Sequence, residues 1–562
     1  MPLSRHVDPK TAFKTGHGQI STRTHHVPSP YINRYISSEP IPKYLIPENG
    51  VDAKAAYQLI ADDLELDGKP NLNMASFVST FIEDEALKLT VENLTKNLAD
   101  SDEYPALLDI HARCISILGE LWHAKPDEKP IGSATTGSSE AIHLGGLAMK
   151  RRWQEKRKAE GKDTSRPNII MGANAQVALE KFARYFEVEP RLVPVSDASF
   201  HCLDVDQVRA NVDENTIGVF VILGSTYTGH YEPVKAVSDV LDEYEKQTGH
   251  SVPIHVDAAS GGFVAPFSHQ SVEWDFRLPR VHSINVSGHK YGLVTAGLGW
   301  IIWRSEDFLP KYLVFELKYL GGVEQSFTLN FSRPGAQVVQ QYYNFLHLGR
   351  EGYRRIQNNS LANARHLSWA LERSGYFQCL SEIHRPRGSR KFDAAQAATV
   401  DLSQLSSDPE DYNPGLPVVS WRLTDAFREQ YPHVKQQAIS TLLRVKGYII
   451  PNYPLPPNQS DVEILRVVVR ESLSADAVDR LAEDIVTVTE SLVDASDVDV
   501  TALAQPLHRL ALASGRHSRV ETSLGQVSRE GSRVDLSEPD AAGATNKALH
   551  KHHQHGYYKG VC

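Results

Sequence analysis

A chain of 562 residues, 41% hydrophobic and 23% charged, is long enough for a large two-domain protein with extensions. Its 36 Gly and 31 Pro are too few for a collagen-like or low-complexity chain. The 59 basic and 69 acidic residues leave a formal net charge of -10, which gives no broad cationic field to attract nucleic acid or anionic lipid. Cys114, Cys202, Cys379 and Cys562 are scattered and form no C-x-x-C pair, so neither a disulfide framework nor a thiolate zinc site is expected. No run of 18 uncharged apolar residues and no secretory signal pattern occurs, and the expected compartment is the cytoplasm. Arg5, Lys10, Lys14, Arg23 and Arg34 against Asp8 faintly suggest a transit peptide, but no apolar helical face accompanies them.

The first forty or so residues are polar and broken by Pro28, Pro30, Pro40, Pro42 and Pro47, which predicts an extended arm. Between Ala53 and His123 apolar residues such as Phe81, Ala86, Leu89 and Leu94 recur at helical spacing, with Trp122 closing the run. From Ile131 to Arg304 short apolar runs (Asn168–Met171, Ile217–Leu223, Ile254–Val256, Leu298–Trp303) alternate with amphipathic stretches (Ala175–Phe186, Ala236–Tyr244). That alternation predicts β-α units around a mainly parallel sheet, an α/β fold. A helical zone over Gln337–Arg373 follows. Strand-like runs at Ala397–Leu402, Val418–Leu423, Tyr448–Pro451 and Ile464–Val469, with helical Asp425–Val445 and Ala475–Leu492, predict a smaller α+β domain. Beyond about Asp494 apolar density falls while Ser, Gly, His and Arg rise, as in a mobile tail.

Three segments carry chemistry. In Ser287-Gly288-His289-Lys290-Tyr291-Gly292 a lysine follows the run Val281–Val286, and a lysine amine in a dry site forms Schiff bases with aldehydes. Its flanking glycines are expected to let a bulky group approach the backbone. Taken alone, Lys290 reads as a solvated loop lysine, and its neighbours change that reading. Upstream, the strand Ile254-His255-Val256 ends in Asp257, where open α/β sheets bind ligands and where a carboxylate can pair with a protonated pyridine nitrogen; the plain alternative is a loop-capping aspartate. In Thr135-Thr136-Gly137-Ser138-Ser139-Glu140, Ser138 or Ser139 is the expected N-cap of the helix Ala141–Trp153, whose free amides would bind phosphate or simply be capped. A phosphate cup, an acid at a strand end and a loop lysine, in that order, are the parts that pyridoxal 5'-phosphate requires.

The segments TTGSSEA, KFARYFEVE, GSTYTGHYE, HVDAASGGFVAPF, WDFRLPRVHSINVSGHKYGL, YLGG and FSRPGAQVVQQYY, spread over residues 40–475, resemble the group II pyridoxal-phosphate decarboxylases, specifically the glutamate decarboxylases of bacteria, plants and fungi. The resemblance implies fold type I: a mainly parallel seven-stranded-type sheet in a large domain with a smaller C-terminal α+β domain and the site at a homodimer interface. Accordingly the expected division is an arm with helices over 1–71, a large cofactor-binding domain over 72–360, a small domain over 361–495 and a tail over 496–562. Lys290 would be the Schiff-base lysine, Asp257 the pyridinium partner and Ala259 a residue packed on the ring. His289, Ser138, Ser139 and, from the neighbouring subunit, Ser332 would contact the phosphate. Gln176 would cover the ring face, Thr226 would contact the cofactor, and Ser287 belongs to the same cofactor-binding set. Arg466 would grip the α-carboxylate of the substrate, and Ser76, Phe77, Asn97 and Asp100 would meet the side-chain carboxylate. Ser76 stands where bacterial members often have Thr, and the retained hydroxyl leaves the implied substrate unchanged. Asp100 can face a carboxylate only with a shared proton.

The implied activity is decarboxylation of L-glutamate to 4-aminobutyrate, by a cytoplasmic dimer or dimer-based hexamer. Another amino acid on the same cofactor, and a non-catalytic scaffold of the same fold, are the alternatives. Tyr319-Leu320-Gly321-Gly322 is a candidate lid or a plain turn. His550, His552, His553 and His555 could bind a metal or mark a solvated segment. Plant relatives end in a tryptophan-bearing calmodulin-binding helix, whereas all 7 tryptophans here precede residue 422, which argues against calmodulin as a partner.

Overall fold

The computed structural model describes residues 44–317, 324–390, 392–401 and 404–495. Most of the N-terminal arm, the candidate lid at 319–322 and the tail with its histidines lie outside the described residues. Those described fall into two compact units, 44–67 and 68–495. The first holds helix α1 (Ala53–Leu64), capped by Asp52, whose carboxylate accepts from the Lys54 amide at 2.9 Å.

The second unit begins with α2 (Asp84–Glu92) and α3 (Pro105–Leu121), the latter opened by a proline at its first turn, where no amide partner is lost. Strands and helices then alternate: β1 (Ile131–Thr135), α4 (Ser138–Ala159), β2 (Asn168–Gly172), α5 (Val177–Tyr185), β3 (Glu189–Val193), α6 (Val205–Asn211), β4 (Thr216–Ile222), α7 (Val234–Thr248), β5 (Ile254–Asp257), β6 (Val281–Ser287) and β7 (Gly299–Trp303). The seven strands are ordered β1-β7-β6-β5-β4-β2-β3. Neighbours from β6 through β3 run parallel, and β7 is antiparallel to both β6 and β1. Every residue of β4 is buried, as expected of a central parallel strand covered on both faces. The α/β expectation therefore holds, and the carboxyl ends of β4, β5 and β6 place Ile222, Asp257 and Ser287 along one edge.

A hairpin of β8 (Phe315–Leu317) and β9 (Glu324–Ser326) follows. The helix Ala336–Arg373 is interrupted at Gly349, whose φ of 58° suits a residue without a Cβ. Strands β10 (Phe377–Cys379), β11 (Val418–Leu423), β12 (Asn452–Pro454) and β13 (Glu463–Val468) form an antiparallel sheet in the order β10-β11-β13-β12. Helices Asp425–Gln430, Gln436–Val445 and Ala475–Asp494 accompany it. Among the described residues no helix is long and apolar enough to cross a membrane.

Several expected elements differ. Ala394–Thr399 is a short helix rather than the start of a strand, in keeping with the helix preference of its four alanines. The run Tyr448–Pro451 contributes only an isolated bridge, Ile449 to Asn73, and the strand starts at Asn452, after a proline that cannot donate to a ladder. Asp425–Val445 is two helices separated by a break that contains Pro432. β3 went unseen in the sequence because Glu189, Pro190 and Arg191 mask its apolar end.

Candidate active site

β5 and β6 pair so that Asp257 lies directly opposite Asn285. Asn285 Nδ2 donates to Asp257 Oδ1 at 2.9 Å, and the Ala259 amide donates to the same oxygen at 3.1 Å. Because Nδ2 is the donor to Asp257, Asn285 Oδ1 is left to accept from His255 Nε2 at 2.7 Å; His255 Nδ1 then accepts from the Ser283 hydroxyl at 2.7 Å. Burial holds His255 down to about 4, so the ring is neutral and the tautomer follows from this chain of bonds. Burial pushes the Asp257 carboxyl up, opposed by the Asn285 hydrogen bond and by the Lys290 charge. An acid so placed gains most from a cationic hydrogen-bond donor brought against it.

A second group forms at the start of α4. Gly137, not a serine, is the N-cap residue, and Ser138 begins the helix. Ser138 Oγ instead meets Ser287 Oγ at 2.7 Å, tying the helix start to the end of β6. Ser139 is exposed on the same turn. Glu140 closes the loop behind, accepting from the Thr136 amide at 2.8 Å and hydroxyl at 3.0 Å and from the Asn330 amide at 3.0 Å. His289 accepts at Nδ1 from the Leu298 amide at 3.2 Å, and its Cε1 would lie 3.3 Å from a Cβ on Gly137. Burial, with the Lys290 charge adding to it, holds His289 down to about 4. Free amides of a helix start, two hydroxyls and a neutral imidazole make a cradle suited to phosphate.

Lys290 joins the two groups. Its Nζ is 3.4 Å from Ser260 Oγ and 5.4 Å from the centre of the Phe77 ring. The same ring has the Arg466 guanidinium at 5.1 Å. Arg466, on β13, donates from Nη1 to the Thr226 carbonyl at 2.7 Å and from Nη2 to the Ala75 carbonyl. Thr226 therefore enters through its backbone, and Ser76 Oγ accepts from the Val78 amide at 3.1 Å, fixing the turn that presents Phe77. The flanking glycines do not serve an approaching ligand as expected: a Cβ on Gly288 would lie 2.6 Å from Gln341 Oε1, and one on Gly292 would lie 2.6 Å from the Gly288 carbonyl. They are needed for close packing within the protein.

Asn97, Asp100 and Ser332 come together separately. Asn97 Nδ2 donates to Ser332 Oγ at 3.3 Å, its Oδ1 accepts from the Arg333 amide at 3.1 Å, and the Asp100 amide donates to the Asn97 carbonyl at 3.2 Å. Gln176 is half-buried at the start of α5. Sequence reasoning missed Asn285, Ser260 and Glu140. A polar residue interrupting the apolar run Val281–Val286 was the available signal for Asn285.

The buried carboxylate, the phosphate cradle and the amine between them fit pyridoxal 5'-phosphate. The family model of the pyridoxal-dependent decarboxylase conserved domain matches residues 49–387. The chain is 48% identical over 542 residues to the glutamate decarboxylase of Saccharomyces cerevisiae, covering 92% of this chain and 90% of that one. With glutamate decarboxylase 1 of Arabidopsis thaliana it shares 45% over 468 residues, 83% of this chain and 86% of that one. The solved glutamate decarboxylase of Lactobacillus brevis superposes with a TM-score of 0.73 at 38% identity, covering 82% of this chain and 97% of that one. The architecture is pyridoxal-phosphate fold type I, and the chain belongs to the glutamate decarboxylase family of pyridoxal-dependent decarboxylases.

Proposed function

We propose that the protein decarboxylates L-glutamate to 4-aminobutyrate and carbon dioxide, with Lys290 as the residue that carries the cofactor. The observation that carries this reading is the placement of the Lys290 amine and the Arg466 guanidinium against the same Phe77 ring, at 5.4 and 5.1 Å. An amino acid needs both: an amine to exchange with and a guanidinium for its α-carboxylate. Bound there, pyridoxal phosphate supplies the electron sink for the pair left behind as carbon dioxide departs.

The chain's own groups orient and desolvate. Asp257 would hold the ring nitrogen of the bound cofactor, the Ser138, Ser139, Ser287 and His289 cradle would hold its phosphate, and Ala259, Gln176 and Thr226 would border the ring. Arg466 fixes the α-carboxylate. Phe77 is 2% exposed and keeps water from the space between Lys290 and Arg466, which favours loss of a charged group from the substrate. A proton then replaces the carboxylate at the α-carbon, so each turnover consumes one proton.

The side-chain carboxylate meets Ser76, Phe77, Asn97 and Asp100. Because Asn97 and Asp100 gather with Ser332, we assign all three to the site of a neighbouring copy, so that one copy's Ser76 and Phe77 and another's Asn97 and Asp100 meet the same carboxylate, in a homodimer that can assemble further into a hexamer. The cytosol is the proposed compartment, consistent with buried free thiols at Cys114, Cys202 and Cys379.

The test is purified protein with pyridoxal phosphate, offered a panel of amino acids with product detection. Release of 4-aminobutyrate from glutamate alone is the expected result. Turnover of a different amino acid would move the substrate assignment, and absence of turnover on any would remove the catalytic reading.

A further inference from the structure

Arg466 lies between two aromatic rings. Its guanidinium carbon is 5.1 Å from the centre of Phe77 and 5.7 Å from that of Tyr453, and Tyr453 in turn lies 5.8 Å from the Tyr227 ring. Tyr453 is carried on β12, which pairs with the Arg466 strand so that Tyr453 faces Ile464. Of the five guanidinium N–H groups, one on Nη1 and one on Nη2 go to the carbonyls of Thr226 and Ala75. Nε–H and one hydrogen on each Nη remain.

Arg466 is 1% exposed, and its Nε and the Tyr453 hydroxyl are both shut off from solvent without a well-formed hydrogen bond; the hydroxyl interacts only with the Arg466 guanidinium, a donor, which leaves its own proton without an acceptor among the described residues. Buried polar atoms without partners are uncommon, because burial removes water without replacing it. Two of them on either side of one stacked contact mark a place where a polar ligand atom fits. Burial pushes the Tyr453 phenol up, with the guanidinium working against the rise, so the phenol keeps its proton and can donate.

We propose that Tyr453 is a second α-carboxylate anchor, its hydroxyl donating to one carboxylate oxygen of the substrate while Arg466 Nε holds the other. This rests on the reading of Arg466 as the α-carboxylate residue, not on the identity of the side chain the substrate carries. The pair distinguishes substrate from product, because the amine product has lost the group it binds.

The experiment compares Tyr453→Phe with the wild-type holoenzyme, using whichever amino acid the wild type decarboxylates and its own amine product. A failure of glutamate as substrate thus leaves the comparison in place. The expected result is a fall in kcat/KM of about tenfold or more, as for loss of a hydrogen bond to a charged group, with inhibition by the amine product within about twofold of wild type. The unfolding temperature stays close to wild type, since the ring and its contact with the Arg466 guanidinium remain. Unchanged kcat/KM overturns the proposal. So does equal weakening of product inhibition, which would make the ring only a wall of the pocket, and so does loss of folded protein, which would give the hydroxyl a structural role.

Discussion

Asn285 Nδ2 donates to Asp257 Oδ1 at 2.9 Å from the adjacent strand, and this amide opposes the upward push of burial on the carboxyl. Removing it in Asn285→Ala leaves burial unopposed at that oxygen except by Ala259 and Lys290, so the carboxyl rises further and pairs less well with a cationic ring nitrogen. Cofactor affinity should fall by about tenfold or more, equivalent to about 1.5–3 kcal/mol for a hydrogen bond to a charged group. Titrating cofactor-free protein with pyridoxal phosphate by absorbance measures it. Asn285→Asp should be worse, because two carboxylates would then face each other. An unchanged titration in both variants would show that Asp257 does not need the amide.

Lys290→Ala tests the amine. The variant should bind pyridoxal phosphate without the visible absorbance of covalently held cofactor and should show essentially no turnover of any amino acid. Because Lys290 is half-buried and lies on the loop after β6, where its amine meets Ser260 and Phe77, the substitution leaves the sheet intact and the unfolding temperature close to wild type. Retained full activity would remove Lys290 from the role.

The alternation of β4, α7 and β5 was legible because central parallel strands must be apolar on both faces and their covering helices amphipathic. Asp257 and Lys290 stood out only in combination with the phosphate cup and the family motifs, since alone each reads as a capping or solvated charge. Glu140 did not, since a carboxylate closing its own loop reads as an ordinary first-turn acid. The Asn285–His255–Ser283 relay was hidden because it exists only through cross-strand register, which no single segment contains. At Ala394–Thr399 the helix preference of the alanines, available in the sequence, outweighed the strand-like run that follows. The glycines beside Lys290 were visible as glycines, yet the atoms that exclude a Cβ there, Gln341 Oε1 and the Gly288 carbonyl, were not.

Gly299 supplies a sharper packing test near the phosphate cradle. At the start of β7, a Cβ on this residue would lie 2.5 Å from the Gly137 carbonyl carbon and 2.8 Å from the Ser138 amide nitrogen. These are backbone atoms of the cradle, which cannot move aside as a flexible side chain could. Gly299→Ala should therefore cost about 1–3 kcal/mol of stability and displace the helix start from the phosphate. Denaturant unfolding and a pyridoxal phosphate titration should both shift. A titration shift with pyridoxal lacking the phosphate would place the damage elsewhere.

The dependence of stability on pH follows from buried groups outside the cradle. Burial holds His111, His255 and His269 each down to about 4, from an ordinary value of 6.5. In the unfolded chain these rings take up protons as pH falls through 6.5, while the native rings stay neutral until about 4, so stability rises with pH across that window, by up to about 3 kcal/mol per ring. Glu232 acts in the opposite sense. Burial raises its carboxyl to about 7, against hydrogen bonds from the Ile222 amide, Asn174 and the Leu203 amide. The native acid keeps its proton where the unfolded one, near 4.5, has lost it, so this contribution is fully present below 4.5 and is lost as pH climbs to 7, again about 3 kcal/mol. Three rings outweigh one carboxyl, and the unfolding temperature should rise between pH 4.5 and 6.5. In Glu232→Gln the opposing group no longer titrates, so the rise should be steeper even though the amide, facing backbone donors, lowers stability at every pH. Thermal unfolding of both proteins in steps from pH 4.5 to 7 decides it: parallel profiles would mean that Glu232 is already ionised in the native protein and that its three hydrogen bonds outweigh burial.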